Sequence, residues 1–236
     1  MDDTAEPAVR GWLHRPAGPA LDALVLSHGA GSNCDAPLLI EVAGAFASAG
    51  FAVLRCDLPF RQARRHGPPG PGDPARDRDG LRRAVEAALA ASASSSGKGR
   101  SGPGKPGEEP LCSSDGGRRL APGRVFLGGH SYGGRQATIL AAEDPALIQG
   151  LLLLSYPLHP PRRPAELRTA HFARLRTQAL FAHGTRDPFG SIEEMRAALA
   201  PIPARVELVA IEGAGHDLSR AGVAQRVVEA FQKLVR

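Results

Sequence analysis

Short, almost wholly apolar runs recur along the chain, and each is followed by a turn and then by a helical pattern. They occupy residues 23–27, 52–56, 124–127, 150–154, 179–182 and 206–211. Runs that are apolar throughout, rather than alternating, are typical of strands buried on both faces of a parallel sheet. The sequence therefore predicts an α/β fold, in which helices lie on both faces of a mostly parallel sheet.

The segments between these runs carry apolar residues at helical spacing. Helices are predicted over residues 37–49, 78–92, 133–143, 192–200 and 223–235. Residues 9–14 are expected to add an antiparallel strand at the N-terminal end. We expect all of these elements to form a single domain over residues 1–236.

Residues 66–80 and 97–123 interrupt the alternation, because both segments are rich in Gly, Pro and charge. They have too little apolar surface to offset the entropy lost on ordering, so flexible insertions are predicted there. The first follows a strand and should lie at the carboxyl edge of the sheet, where α/β folds bind ligands. The second precedes a strand and should lie at the opposite edge, remote from any site.

The sequence RVFLGGHSYGG contains G-x-S-x-G as Gly129, Ser131 and Gly133. It follows a predicted strand and opens a predicted helix, which is the setting of a nucleophile elbow. Such a turn holds the serine in a strained conformation, and glycines two residues away on either side leave room for it. An ordinary glycine-rich helix start is the alternative, so candidate partners of Ser131 matter.

Two later segments offer an acid and a base in the chain order that follows a nucleophile elbow. Asp187 follows one predicted strand in FAHGTRDPFG, and His216 follows the last predicted strand in VAIEGAGHDL. His216 would take the proton of Ser131, and Asp187 would orient the imidazole ring. Asp217 is a spare carboxylate, which is more typical of a cap on the last helix.

An oxyanion needs main-chain N–H donors, and the loop SHGAGS at residues 27–32 has the small residues that permit close approach. We expect the N–H of Ala30 to be one donor, with Gly31 as second choice, and the N–H of Tyr132 to be the other. The remaining candidate histidines are interpreted as structural: His28, His130, His159 and His183.

Charge and cysteine usage narrow the class of protein. The formal net charge of +5 would suit nucleic-acid binding, but the arginines are dispersed and few aromatic residues are available for base stacking. No apolar run reaches the roughly 20 residues that span a bilayer, and the N-terminal sequence lacks a signal-peptide core. Cys34, Cys56 and Cys112 form neither a metal-binding spacing nor a disulfide framework, so we expect reduced thiols in a cytoplasmic protein.

With these motifs, the chain resembles the α/β-hydrolase superfamily. More narrowly, it is similar to a small bacterial branch whose animal relatives are a testis-expressed protein and a subunit of the non-specific-lethal chromatin complex. The narrower resemblance is carried by residues 28–33, 126–137, 151–161 and 181–190. It implies a serine hydrolase acting on a small acyl ester or thioester, with no metal or organic cofactor. Some animal relatives are scaffolds, so a catalytically silent interaction module is the alternative.

The segment between residues 156 and 178 is too short for a large cap, so a minimal lid and an open cleft are expected. Loops at the carboxyl edge carry Arg61, Arg162 and Arg163. These arginines are candidates for a basic rim that would favour esters bearing a carboxylate or a phosphate. Solvated arginines without a role in binding are the alternative.

Overall fold

The predicted apolar runs are the strands of one sheet. The computed structural model describes residues 9–20, 22–91, 108–112 and 123–236. Its strands are β1 Arg10–His14, β2 Asp22–Ser27, β3 Phe51–Cys56, β4 Glu108–Cys112, β5 Val125–His130, β6 Gly150–Leu154, β7 Ala179–Gly184 and β8 Val206–Ile211. Its helices are α1 Pro37–Ser48, α2 Pro59–Ala63, α3 Asp73–Ala91, α4 Tyr132–Glu143, α5 Ile192–Leu199 and α6 Val223–Val235, with a 3-10 turn at Phe172–Arg174.

The strands form an eight-stranded sheet in the order β4-β1-β3-β2-β5-β6-β7-β8. From β3 to β8 every neighbouring pair is parallel, whereas β1 runs antiparallel to both β3 and β4. This arrangement confirms the predicted fold class, including the antiparallel N-terminal strand. Only loops and the 3-10 turn join β6 to β7, which agrees with a minimal lid.

Helices cover the sheet on both faces and bury a separate apolar cluster on each. On one face, α1 and α6 pack against the sheet, and Phe46, Phe126 and Phe231 are fully buried there. On the other face, α3, α4 and α5 pack against the alternate side chains of the same strands. Residues that alternate along a strand point to opposite faces, so strands buried on both sides must be apolar throughout.

The structure differs from the sequence prediction within the two predicted insertions. Helix α3 begins at Asp73, inside the segment 66–80, and strand β4 lies inside the segment 97–123. The helix start carries an acidic residue and a proline, which both suit a first helical turn. The sequence EEPLC of β4 is charged and contains a proline, as edge strands often do. In both cases a composition typical of loops concealed a regular element.

Most of the segment 97–123 lies outside the described residues, and so does the side chain of Cys112. The single-domain organisation and the flexibility of the two insertions remain predictions. Among the residues that are described, no helix combines the length and the apolar character required to cross a bilayer.

Candidate active site

Ser131 occupies the turn between β5 and α4, with φ 51° and ψ −114°. Strand β2 runs alongside this strained turn, with Ser27 paired to Gly129. A Cβ atom on either Gly129 or Gly133 would lie 2.5 Å from the Ser27 hydroxyl oxygen. The N–H of Gly133 also donates to the His28 carbonyl, at 3.1 Å. The two glycines are therefore required by the close approach of β2, as the motif predicts.

His216 lies between Ser131 and Asp187. Its Nε2 is 2.8 Å from the Ser131 Oγ, and its Nδ1 is 2.8 Å from an Asp187 carboxylate oxygen. An ionised carboxylate only accepts hydrogen bonds, so Nδ1 carries the proton and donates to Asp187. Nε2 is then left to accept the proton of the serine hydroxyl. The structure thus brings together the three residues that the sequence singled out.

Asp187 is buried and charged. Burial by itself would raise the pKa of Asp187, but the His216 hydrogen bond, the charge of His216 and the Phe189 N–H together lower it below its ordinary value. The Phe189 N–H donates to the second carboxylate oxygen at 2.9 Å. The ring of Phe189 packs on His216, with centroids 4.2 Å apart. The acid therefore stays ionised and the imidazole ring is held from two sides.

The loops that carry Asp187 and His216 are bonded to each other. The N–H of Arg186 donates to the Ala214 carbonyl at 2.9 Å, and the N–H of Gly213 donates to the Thr185 hydroxyl at 2.9 Å. Gly184 lies at the junction, where a Cβ atom would be 2.4 Å from the Ala214 carbonyl oxygen. The separation of acid and base is thus fixed by contacts between two adjacent strand ends.

His130, which the sequence analysis interpreted as structural, contacts the candidate site directly. Its Nε2 lies 2.7 Å from the His216 carbonyl oxygen, and since a carbonyl only accepts, Nε2 carries the proton. Burial is the main cause that lowers the pKa of His130, which favours the neutral ring. His130 therefore connects the main chain of His216 to the turn that carries Ser131. Nothing in the sequence marked this role, because it depends on how the last loop folds back.

A second contact missed by the sequence analysis joins Tyr132 to Asp77. The Tyr132 hydroxyl donates to one carboxylate oxygen of Asp77 at 2.7 Å, and the Phe60 N–H donates to the other at 3.0 Å. Burial raises the pKa of Asp77. Helices α2 and α3 are thereby linked to the residue that follows Ser131.

The loop after β2 lies against Ser131, because a Cβ atom on Gly29 would be 3.5 Å from the Ser131 Cβ. Within the part of the chain that is described, the N–H groups of Ala30, Gly31 and Tyr132 donate no hydrogen bond to the protein. All three N–H groups can therefore donate to another acceptor.

The predicted basic rim needs one correction. Arg61 is buried, at 8% exposure, and its guanidinium group is bonded to main-chain carbonyls rather than facing a cleft. An arginine in the short helix α2, beside the loop after β2, was wrongly expected to be exposed. Arg163 is exposed but lies 3.4 Å from Glu166, whereas Arg162 is exposed and has no ion pair among the described residues.

The remaining candidates have structural contacts. Asp217 does not cap α6 as predicted, because the helix begins at Val223 with Gly222 at its N-cap; Asp217 is exposed and accepts a hydrogen bond from the Ser219 N–H at 3.2 Å. His159 and His183 lie 2.8 Å from the carbonyl oxygens of Pro160 and Gly190, respectively. In the described ranges, no group of three or more His, Cys, Asp or Glu side chains is placed to hold a metal ion.

Comparison with known proteins identifies the family of this arrangement. A family model described as an alpha/beta hydrolase domain matches residues 112–232, just over half of the chain. The match includes Ser131, Asp187 and His216. It does not include β1, β2 or the loop after β2.

Solved structures of hydrolases have the same fold. A dienelactone hydrolase from Anabaena variabilis is 24% identical, with a TM-score of 0.65 over 95% of this chain and 91% of that one. Est1E from Butyrivibrio proteoclasticus, in a structure with bound ferulic acid, is 15% identical, with a TM-score of 0.70 over 96% and 95%. A serine hydrolase without a lid from Xanthomonas campestris is 16% identical, with a TM-score of 0.64 over 98% and 97%. At these identities the likeness extends to the fold alone.

Proposed function

Because this chain belongs to the alpha/beta hydrolase family, we propose that it is a serine hydrolase that cleaves a carboxylic ester or thioester. The observation that carries the proposal is the position of His216, with one ring nitrogen 2.8 Å from Ser131 and the other 2.8 Å from Asp187. A serine hydroxyl is a weak nucleophile, and a base oriented by a carboxylate is what activates it.

In the proposed reaction, the Ser131 Oγ attacks the acyl carbon while its proton passes to His216 Nε2. The N–H of Tyr132, together with that of Ala30 or Gly31, holds the oxyanion of the tetrahedral intermediate. His216 then gives the proton to the departing alcohol or thiol, which leaves an acyl-enzyme. Water attacks the acyl carbon through the same base, and the acid product leaves as the proton returns to Ser131.

The ionised state of Asp187 supports this mechanism. Its lowered pKa keeps it negative, so it stabilises the imidazolium that forms at each proton transfer.

We also propose that the substrate is small and that the protein is cytoplasmic. Free, buried Cys34 and Cys56 suit a reducing compartment.

A fluorophosphonate probe tests the proposal, because it reacts covalently with an activated serine. The wild-type chain is expected to be labelled at Ser131, and S131A is expected to remain unlabelled. Ser155 offers a matched control, since it also follows a strand end and has a positive φ of 49°, but its hydroxyl has no hydrogen-bond partner among the described residues. S155A should be labelled like the wild type. A folded wild-type chain that is not labelled would instead favour the catalytically silent interaction module.

A panel of acyl esters and thioesters, with S131A as the blank, then identifies the preferred bond. Rim selectivity is measured in the same panel by comparing neutral and anionic esters of equal length at low salt. An anionic preference that falls in R162Q would support a role for Arg162 in substrate binding.

A further inference from the structure

The guanidinium group of Arg61 donates all of its hydrogen bonds to main-chain carbonyl oxygens. Nε donates to Ser32 at 2.7 Å, and Nη2 donates to Ala30 at 2.8 Å and to Gly67 at 3.1 Å. Nη1 donates to Arg64 at 3.2 Å and to Arg65 at 2.7 Å. An arginine has five N–H donors, so every one of them has an acceptor. Two of these acceptors belong to the loop after β2, and three belong to the segment after α2.

The charge of Arg61 is buried without a carboxylate. Among the described residues Arg61 forms no ion pair, and its side chain is held only by the carbonyls and by contact with the Phe60 ring, 4.9 Å from the guanidinium carbon. A buried charge is costly unless dipoles or hydrogen bonds compensate for it. The five carbonyls do so only in their present orientation. The loop and Arg61 therefore fix each other.

The bond from Arg61 to the Ala30 carbonyl determines the direction of an N–H group in the oxyanion loop, the name we give to the loop after β2 at residues 27–32. In a trans peptide the carbonyl and the N–H point in opposite directions. Since the Ala30 carbonyl is bound to Arg61, the N–H of Gly31 must point away from Arg61. The preceding peptide is held in a similar way, because the Gly29 carbonyl accepts from the Ser32 N–H at 3.1 Å and lies 2.8 Å from His28 Nδ1.

We infer that Arg61 is a positioning residue for the oxyanion-binding loop, holding the Ala30 and Ser32 carbonyls so that the loop's N–H donors face the reacting centre. The inference rests on the proposed hydrolase function and deepens it. Arg61 does not touch substrate, so its effect must pass through the loop. Because an oxyanion exists only in the transition state and the tetrahedral intermediates, the effect must fall on kcat rather than on KM.

The test compares R61K, R61Q and R61A with R76Q, which removes a positive charge from an exposed position on α3. Hydrolysis of a short p-nitrophenyl ester is measured with the folded fraction of each variant. R61Q is expected to lower kcat by roughly 10- to 100-fold with little change in KM. This decrease in kcat is smaller than the roughly 10²–10³-fold decrease that follows loss of an oxyanion donor. R61K should fall less than R61Q, because a lysine has three donors for these carbonyls, and R76Q should match the wild type.

Two further readouts separate positioning from simple destabilisation. Millimolar guanidinium is expected to raise the kcat of R61A but not that of the wild type. Methylammonium at equal ionic strength is expected to leave the kcat of R61A unchanged. Affinity for an alkyl boronic acid, which forms a tetrahedral anion on serine, should fall across the variants in proportion to kcat/KM. If R61Q and R61A do not fold, R61K still gives both the kcat-to-KM split and the boronate comparison.

Failure of each proposal has a different signature. If the wild type hydrolyses the ester but R61K and R61Q keep its kcat, or change KM alone, the role of Arg61 is wrong and the hydrolase proposal stands. If the folded wild type neither reacts with fluorophosphonate nor hydrolyses any ester, both proposals fall.

Discussion

At the scale of single residues, the position of one proton determines what the candidate site can do. The Asp187 carboxylate can only accept, so it fixes the His216 proton on Nδ1 and leaves Nε2 to face Ser131, each at 2.8 Å. An amide in place of the carboxylate could donate to the ring instead and so favour the other tautomer. The charge that stabilises the imidazolium would also be absent.

We therefore expect D187N to lower kcat by about 10⁴-fold, the size of effect that follows loss of a triad aspartate elsewhere. The matched control is D217N, which alters the neighbouring exposed carboxylate; among the described residues it accepts a hydrogen bond only from the Ser219 N–H. Ester hydrolysis by both variants, with folding checked by circular dichroism, measures the difference. Equal activity of D187N and the wild type would exclude Asp187 as the acid.

The sequence predicted which side chains of the candidate site lie close together, but it did not predict the contacts that hold them in place. Ser131, Asp187 and His216 each follow a strand, and parallel strands end at one edge, so their proximity could be expected. The bond from His130 to the His216 carbonyl and the burial of Arg61 depend on loop paths that hydrophobic patterning does not encode. A histidine at a strand end or an arginine in a short helix looks the same in sequence whether it faces solvent or a buried carbonyl.

At the scale of elements, apolar runs predicted the central strands well because those strands are buried on both faces. β6 and β8 have their predicted bounds, and α6 begins and ends where its apolar stripe does. Strand β4 and the first turn of α3 were missed, because charge, glycine and proline are compatible with an edge strand or a helix start as well as with a loop. Pairing with β1 and the contacts of the α3 start decide these cases.

The turn between β5 and α4 leaves no room for a larger residue at Gly133. A Cβ atom on Gly133 would lie 2.6 Å from the His28 carbonyl oxygen, and main chain cannot move aside as a flexible side chain can. G133A is expected to lower the free energy of unfolding by about 1–3 kcal/mol and to reduce activity by displacing the oxyanion loop.

Gly44, within α1, supplies the matched control because a Cβ atom there would meet nothing within 4 Å. Replacing an unconstrained glycine in a helix by alanine stabilises a protein by roughly 0.5–1 kcal/mol. G44A should therefore raise the free energy of unfolding in urea and leave kcat unchanged. Similar effects of G133A and G44A would contradict the close packing of β2 against the turn.

At the scale of the whole molecule, an aromatic cluster that stabilises the fold and the candidate site lie toward opposite ends of the sheet. The aromatic cluster beneath α1 and α6 lies toward the amino ends of the parallel strands, whereas the site lies at their carboxyl ends. Phe231 of α6 is central to this cluster, with ring centroids 5.1 Å from Phe126 and 5.5 Å from Phe46. Phe126 is the second residue of β5 and Ser131 follows the last, so most of a strand separates the cluster from the site.

F231A is expected to lower the free energy of unfolding by about 3–5 kcal/mol, as truncation of a buried phenylalanine does, with kcat of the folded fraction unchanged.

F189A should instead affect activity more than stability. Phe189 is only half-buried but stacks on His216, so its loss should cost little stability and reduce kcat by roughly 10-fold through misplacement of the base. Urea unfolding and ester hydrolysis of both variants measure the two effects independently. If stability and kcat fell together in each variant, the two ends of the sheet would be coupled, and the separation argued from the packing would be wrong.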